Sequence, residues 1–466
     1  MKIKFQYKDN EQWIFISLLL FTGMSCKQFL DIPAPKNQIQ TSEIFKNDQA
    51  AISTVSGLHS LMVTASLYPA NGGITVFSGL SADEIYNTNS DPDIDGFTTN
   101  SLVPKNENVN TNLWSHVYKA IYHANAILEG LDQSATVSDN IKRQLRGEVL
   151  VIRALHYFYL VNMFGDVPLA LSTNYEMNQT MSRTPEAEIY QQIISDLKEA
   201  KMNLPTAYPS NGRLRPNKWT ATALLARAYL FLKDWANAEA QATEVINSGV
   251  YSLPSNLLTV FQPSSTETIW QLVRDNNNTS EGATFIPSSG TARPRYVLTN
   301  FLMNSFEAGD LRRMNWIGVN TVSNPPVNYY YPFKYKSRTA TQATEYYVVL
   351  RLSEQYLIRA EARAQQNKLA GPNSAEPDIN IIRTRAGLAS TTASDKSSLL
   401  IAIAKERRTE LFTEWGHRWF DLKRTKTADE VLTIAKAPNW QPTDALYPIP
   451  LIQLQLNPFL GQNPGY

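Results

Sequence analysis

The sequence predicts a mostly α-helical protein, in which tetratricopeptide-like helical hairpins pack against an irregular, loop-rich lobe with few short strands. Three observations support this fold class. Apolar residues recur at helical spacing in several long segments. Small and aromatic residues recur at the offsets of a helical repeat. Long stretches rich in Asn, Ser, Thr, Pro and Gly separate the helices, and these stretches are residues 86–112, 252–267, 274–296 and 317–345.

The helical segments have clear start and stop signals. Thr184, Pro185 and Glu186 form a helix start, because a capping hydroxyl precedes a proline at the first position and an acid in the first turn. The apolar face that follows keeps the spacing of a helix. The same spacing predicts further helices over residues 148–164, 352–366 and 397–424.

A helical hairpin is predicted over residues 219–233 and 235–248. Small and aromatic residues let two helices approach closely, as in a tetratricopeptide unit. The residues at those offsets are Ala226, Tyr229, Ala238 and Ala242, with Ala360 and Ala364 in a further unit. A generic alanine-rich helix pair is the alternative interpretation of each unit alone, so the repeat assignment depends on the units together.

Strands are predicted at two short apolar runs, residues 269–273 and 346–350. Both are rich in aromatic and β-branched side chains, which are typical of buried strands. The loops that separate these elements are long, and long ordered loops on a helical scaffold often carry binding sites. We therefore expect any ligand site in the loops rather than on the helices.

Composition limits the range of partners. The chain has 43 basic and 42 acidic side chains, and removal of residues 1–25 would leave it with no net charge. Nucleic acid is not expected as a partner, because its binding depends on clustered Lys and Arg. The chain is also rich in Tyr (22) and Trp (9). An uncharged, aromatic-rich protein suits neutral polar ligands such as sugars.

The N-terminus predicts an exported and lipid-anchored protein. A basic start is followed by an apolar run at residues 13–21, which is too short to span a membrane but fits a secretory signal. The single cysteine of the chain, Cys26, comes directly after this run. We predict cleavage before Cys26 and lipidation of its sulfur; the alternative is an ordinary cleaved signal.

The predicted organisation has a removed signal peptide and one compact body over residues 26–466. Within that body the sequence suggests an N-terminal helical region, a tetratricopeptide-like hairpin with its linker, and a C-terminal region. Their predicted bounds are 1–25 for the signal peptide, then 26–215, 216–268 and 269–466.

An ordered set of motifs resembles the SusD/RagB family of bacterial outer-membrane lipoproteins. The resemblance extends over nearly the whole mature chain. The motifs are CKQFLD at 26–31, RALHYF at 153–158, FGDVP at 164–168, ALLARAY at 223–229, LIRAEA at 357–362, IIRTRAG at 381–387, ERRTEL at 406–411, GHRWFDLKR at 416–424 and YPIP at 447–450.

The resemblance implies a surface protein without catalytic activity or cofactor. Relatives capture oligosaccharides, or peptides in the RagB branch, and pass them to a SusC-like TonB-dependent transporter. Two other classes stay open on the residues alone. One is a secreted polysaccharide hydrolase, and the other is a scaffold whose repeats recruit proteins.

One charged cluster could be mistaken for a catalytic site. Glu410 and His417 are seven residues apart, so they share a face if the helix continues through Gly416. An acid and a histidine on one face can perform acid–base chemistry. The family uses this motif as scaffold, which implies a structural network of ion pairs instead.

A short acidic segment resembles half of a calcium-binding loop. Asp91, Asp93 and Asp95 precede Gly96 in the D-x-D-x-D-G pattern, which can wrap a hard cation. The twelfth position is Leu102 rather than the glutamate that completes such a loop. Calcium is therefore a weak candidate, and a solvated turn is the alternative.

Candidate ligand residues follow from the chemistry of sugars. The C–H faces of a sugar ring stack on aromatic side chains, and its hydroxyls form hydrogen bonds with Asn, Asp and Arg. Because the site in the family is built largely from variable loops, the candidates come from the loops. They are Asp83, Tyr86, Asn87, Arg293, Arg295, Tyr296, Trp316 and Tyr330.

Overall fold

The computed structural model describes residues 44–274, 277–323, 325–339 and 342–466, so the predicted signal peptide and Cys26 lie outside the described residues. The helices are α1 Asp48–Val63, α2 Ile74–Ser81, α3 Pro92–Thr98, α4 His116–Gln133, α5 Asp139–Phe164, α6 Tyr175–Asn178, α7 Glu186–Asn203, α8 Lys218–Phe231, α9 Trp235–Asn247, α10 Ser280–Phe285, α11 Asn300–Met303, α12 Leu311–Trp316, α13 Leu352–Gln365, α14 Ala375–Arg385, α15 Lys396–Glu410, α16 His417–Arg424, α17 Ala428–Ala435 and α18 Leu451–Leu456. The strands are β1 Ile85–Asn87, β2 Thr268–Leu272, β3 Tyr296–Leu298, β4 Ile317–Val322, β5 Val327–Pro332 and β6 Tyr347–Arg351.

The long helices form a stack in which sequence neighbours are also neighbours in space. Helix α4 packs on α5, α5 on α7, α7 on α8, α8 on α9 and α9 on α13, while α14 and α15 pack on α13. Each pair buries the apolar face of one helix against the next, as in solenoid repeats. The predicted fold class, mostly α-helical with few short strands, is confirmed.

The hairpin of α8 and α9 forms where the sequence predicts it. Ala226, Ala238 and Ala242 are fully buried, so the two helix backbones can approach closely. Asn217 begins α8 by accepting a hydrogen bond from the backbone N–H of Thr220, whose hydroxyl in turn accepts from the backbone N–H of Asn217. This capping box satisfies donors that the first turn would leave unpaired.

The predicted helix over residues 397–424 is two helices. Helix α15 ends at Glu410 and α16 begins at His417, so these two residues do not share a helix face. The break includes Gly416, which has a left-handed backbone with φ of 69°. A side chain at this position would also meet α2, because a Cβ built there lies 2.6 Å from Cβ of Ser78. The break is therefore fixed by close packing between α16 and α2.

The two predicted strands pair with each other. Strands β2 and β6 are antiparallel and fully buried, and Leu272 lies opposite Tyr347. Strands β1 with β3, and β4 with β5, form two further antiparallel pairs in stretches that the sequence predicts to be loops. Strands β1 and β3 have only three residues each, too few to show the alternation of a strand in sequence.

The main apolar core extends along nearly the whole described chain, from Phe45 to Leu460. A smaller apolar cluster lies between α13, α14 and α15 and includes Ala360, Ile379 and Ile403. Phe45 packs so closely on Gly130 of α4 that a Cβ there would lie 2.1 Å from its ring. Among the described residues, no helix combines the length and the apolar character that a membrane span needs.

Candidate functional site

Two of the loops that contain candidate residues are joined by strand pairing. Strand β1 pairs with β3, and this places Tyr86 opposite Val297. The pairing continues beyond the strands, since Thr88 donates from its backbone N–H to the carbonyl of Arg295 at 2.8 Å and from its hydroxyl to the carbonyl of Pro294 at 2.7 Å. The loops around residues 86 and 295 therefore form one rigid edge.

A third loop joins this edge as the hairpin of β4 and β5, which packs against β3. Asn320 of β4 donates to the carbonyls of Ser289 and Ala292 at 2.8 and 2.9 Å, which fixes the segment before residue 293. Gly318 lies opposite Tyr331, and a Cβ there would lie 2.2 Å from the tyrosine ring. The hairpin can form in this position only because residue 318 has no side chain.

These three loops bring Tyr86, Arg293 and Tyr329 together, and we call this set the tyrosine surface. The side chain of Tyr86 is 37% exposed, Arg293 is exposed and Tyr329 is partly buried. Burial raises the pKa of Tyr86, the neighbouring Tyr329 raises it further, and Arg293 lowers it. The three side chains are therefore close enough to interact electrostatically.

Arg295 and Asn87 support the tyrosine surface from its edge. Arg295 is exposed but pairs with Asp91 at 2.8 Å. The side-chain amide of Asn87 donates to Asp95 at 3.1 Å and to the carbonyl of Asn89. The amide hydrogens of Asn87 are thus used within the protein, while the guanidinium of Arg293 makes no ion pair within the part of the chain that the structure describes.

The tyrosine surface has the chemistry of a shallow sugar platform. Two aromatic rings offer flat apolar faces, and each loses few rotatable bonds on binding. Their hydroxyl groups both donate and accept hydrogen bonds, and the guanidinium of Arg293 donates only. An open surface of this kind can hold part of a chain while the rest of the chain extends into water.

The structure corrects the prediction that Asp83 binds the ligand, because its carboxylate is buried and pairs with arginines of the protein. It is 2% exposed and accepts hydrogen bonds from Arg418 at 2.7 Å and from Arg408 at 2.5 Å. Burial opposes its charge, but the two arginines outweigh burial and lower the pKa of Asp83. The residue ties the start of β1 to α15 and α16.

Two predicted aromatic ligands, Tyr296 and Trp316, are also corrected, and a third, Tyr330, is partly buried. Trp316 is fully buried at the end of α12, where its Nε1–H donates to the carbonyl of Leu257 at 3.0 Å. Tyr296 is 1% exposed, and Tyr330 is half-buried with its ring against the main core. Burial inside the body removes Tyr296 and Trp316 from contact with a ligand. Tyr330 lies opposite the exposed Val319, so its role as a ligand residue stays a prediction.

The ligand residues predicted from the sequence did not include Tyr329. The run of three tyrosines at 329–331 contained a usable signal, because alternate residues of a strand share a face. Once residues 327–332 are known to form a strand, Tyr329 and Tyr330 must lie on opposite faces. The packing of β5 on β3 brings this strand beside β1 and Tyr86, and that packing is a tertiary contact that the sequence does not show.

The acidic segment that resembles half of a calcium-binding loop is mostly helical, because residues 92–98 form helix α3. Asp91 takes the N-cap position of α3, and Asp93 and Asp95 lie in its first turn, where acids favour the helix dipole. Asp95 accepts from the backbone N–H of Asp91 at 3.0 Å. Among the described residues, no group of three His, Cys, Asp or Glu side chains is placed to hold a metal ion.

The charged cluster of the C-terminal motifs is an internal network of ion pairs. Glu410 is fully buried and accepts from Arg312 at 3.1 Å, from Arg351 at 2.5 Å and from Arg385. Burial opposes the charge of Glu410, but these arginines keep its pKa well below the usual range. Burial and the nearby arginines also hold the pKa of His417 well below its usual range. Glu410 is occupied by its arginines and His417 is buried, so the pair does not suit acid–base chemistry.

Comparisons with known proteins agree with the sequence motifs. Residues 28–230 match a family model described as "Starch-binding associating with outer membrane", and residues 265–466 match the model of the SusD family. SusD-like protein P25 of Formosa agariphila is 27% identical, over 96% of this chain and 98% of that protein.

Solved structures share the fold. A SusD superfamily protein from Bacteroides vulgatus has a TM-score of 0.81 at 20% identity, with 91% of this chain and 100% of that chain covered. A laminarin-binding SusD-like protein has a TM-score of 0.77 at 25% identity, with the same shares covered.

Proposed function

Because the chain belongs to the SusD/RagB family, we propose that it is a cell-surface lipoprotein that binds oligosaccharides at the tyrosine surface and does not alter them chemically. The pairing of β1 with β3 and the packing of β5 on β3, which bring the segments of Tyr86, Arg293 and Tyr329 side by side, are the observation that carries this proposal. These residues come from three loops that are far apart in sequence, so their proximity is a property of the fold.

The anchor and the transporter belong to the same proposal. Lipidation of Cys26 would hold the body at the outer membrane, since each buried methylene group contributes about 0.8 kcal/mol and stable anchoring needs more than one acyl chain. The bound oligosaccharide would then pass to a SusC-like TonB-dependent transporter in the same membrane. Mass spectrometry of the mature protein and co-purification of a barrel protein with it test these two parts separately.

Laminarin is the first ligand to test, because a SusD-like protein with the same fold and 25% identity binds it. We expect Tyr86→Ala combined with Tyr329→Ala to weaken laminarin binding at least about fivefold, since one stacked ring contributes about 0.5–1.5 kcal/mol. Isothermal titration calorimetry on residues 27–466 measures the affinity.

The control is Ile434→Ala, which removes another exposed apolar side chain (70% exposed) on α17, a helix that contains no residue of the tyrosine surface. This variant should bind laminarin like the wild type. If laminarin does not bind, a glycan array supplies the ligand for the same comparison. Wild-type affinity in the double tyrosine variant would exclude the tyrosine surface. Binding to a peptide array without binding to any glycan of the glycan array would contradict the function.

A further inference from the structure

A cavity of about 470 Å³ lies between α4, the segment 168–179 and the C-terminal residues 453–460. We call it the α4 pocket. It shares no residue with the tyrosine surface, and its lining comes from different helices and loops. Its volume falls within the range of about 300–1,000 Å³ that small-molecule sites occupy.

The lining of the α4 pocket contains no charged side chain. In a chain with 18% charged residues, a lining of this size would be expected to include about three charges. The cavity of about 340 Å³ between α13, α15 and α16 shows the contrast, because Arg407, Arg408, Asp421 and other ionised groups line it. An ion would find no partner of opposite charge in the α4 pocket, and its desolvation would be costly. The lining thus favours an uncharged ligand.

Aromatic rings form both the floor and the rim of the α4 pocket. Trp114 is 4% exposed, and its ring centre lies 5.1 Å from that of Tyr118. The hydroxyl of Tyr118 donates to the carbonyl of Pro168 at 2.9 Å, which fixes the ring. Tyr122 and Tyr175 are 51% and 74% exposed. Exposed rings beside buried ones provide flat apolar faces that a ligand with C–H faces can cover.

Amide side chains supply the polar part of the lining. Asn178 donates from Nδ2 to the carbonyl of Ser172 at 2.9 Å, but its Oδ1 is shielded from water and has no hydrogen-bond partner among the described residues. The Nε2 group of Gln453 donates to Asn110 at 3.0 Å and to Ser115, which leaves its Oε1 as an acceptor. A buried acceptor that stays unpaired destabilises the protein, and a ligand hydroxyl can supply the missing hydrogen bond.

From these observations we propose that the α4 pocket is a second binding site, separate from the tyrosine surface, for one or two residues of a neutral sugar. The class of ligand follows from the pocket itself: uncharged lining, aromatic faces and free amide acceptors. A neutral sugar has apolar C–H faces for the rings and hydroxyl groups for the acceptors. This inference therefore holds or fails independently of the tyrosine surface.

The test is saturation-transfer NMR with a panel of neutral sugars at 20 mM, namely glucose, galactose, mannose, xylose, laminaribiose and maltose. Four proteins are compared: the wild type, Tyr122→Ala with Tyr175→Ala, Tyr86→Ala with Tyr329→Ala, and Phe301→Ala. Phe301 is an exposed ring outside the α4 pocket and is the matched control. The substituted rings of the α4 pocket are exposed, so these variants should fold.

We expect at least one sugar to give a signal that falls at least fivefold in the Tyr122 and Tyr175 variant. The same signal should persist in the Tyr86 and Tyr329 variant and in Phe301→Ala. If no sugar of the panel binds the wild type, or if loss of Tyr122 and Tyr175 leaves every signal unchanged, the inference is overturned. It is equally overturned if these two substitutions abolish self-association in size-exclusion chromatography without affecting sugar binding, because the pocket would then be a protein interface. Failure of the tyrosine surface alone would appear as unchanged laminarin binding in the Tyr86 and Tyr329 variant.

Discussion

Replacement of Glu410 by glutamine tests how strongly the internal ion pairs hold the C-terminal helices to the body. Glu410 is fully buried and faces the guanidinium groups of Arg312, Arg351 and Arg385. Glutamine keeps the shape of the side chain but removes its charge. The buried arginines then lose a negative charge that balances theirs in the wild type. The free energy of unfolding therefore falls.

The expected size of this loss follows from the burial of both partners. Loss of one partner from a buried ion pair costs about 3–5 kcal/mol. With an unfolding entropy of about 2.1 cal/mol/K per residue, a chain of residues 26–466 should then melt about 3–5 °C lower. Differential scanning calorimetry at pH 7 measures the change in Tm.

The pH dependence gives an independent check. The folded-state pKa of Glu410 lies well below its usual value, so its contribution is complete above the unfolded pKa of about 4.3. That contribution is lost as the pH falls from there through the folded pKa, because the folded chain must then take up a proton that the arginines oppose. The difference in Tm between wild type and Glu410→Gln should therefore shrink at acidic pH.

Lys405→Ala is the matched control for the buried pair. Lys405 pairs with Glu307 at 3.0 Å, but the two side chains are 45% and 34% exposed. Exposed pairs contribute about 0–1 kcal/mol, so this variant should melt close to the wild type. A Tm of Glu410→Gln within 1 °C of the wild type at pH 7, or a difference that does not narrow in acid, would refute the reasoning.

Three further predictions concern single residues. Trp316→Ala should destabilise the fold by about 3–5 kcal/mol in urea titrations, because a fully buried indole is lost, whereas a surface residue would cost under 1 kcal/mol. Burial raises the pKa of Glu84 to about 8, so the folded chain retains a proton near pH 7 and this carboxyl lowers stability as the pH rises from about 4.3 to 8. Glu84→Gln should flatten this part of the profile of Tm against pH, and an unchanged profile would contradict the assignment. Gly318→Ala should shift the hairpin of β4 and β5, because the added Cβ would lie 2.2 Å from the ring of Tyr331. Titration calorimetry should show weaker laminarin binding, and the free energy of unfolding should fall by about 1–3 kcal/mol. Wild-type values of both would exclude the close contact.

Helices were predictable because their signals are local. The apolar spacing of α7, α8 and α9 lies within each segment, so the sequence places them within a few residues of their observed bounds. The predicted cap of α7 is wrong, because Pro185 takes the N-cap position and Thr184 pairs with Val167 instead. The break at residues 411–416 was not predicted. Thr413, Trp415 and Gly416 have a left-handed backbone there, and Gly416 also packs on α2, more than 300 positions away in the chain. Strands β1 and β3 were not predicted either, because each exists only as the partner of the other, and the two are far apart in sequence.

The candidate site shows the same difference between local signals in the sequence and contacts made by distant segments. From residue types alone, Tyr86 and Trp316 were equivalent candidates, since both are aromatic residues in or beside long loops. The fold exposes Tyr86 and fully buries Trp316 against Phe261 and Phe412. Burial depends on which segments pack over a residue, and those segments come from elsewhere in the chain.

The sequence by itself determined the family, the helical class and the presence of aromatic loops, because motifs and periodicity are properties of neighbouring residues. Tertiary structure alone decided which aromatic rings reach solvent, which carboxylates are held by arginines, and that the segments of Tyr86, Arg293 and Tyr329 lie side by side. The physical reason is that exposure and charge pairing are set by contacts between distant segments, and these contacts form only when the whole chain packs.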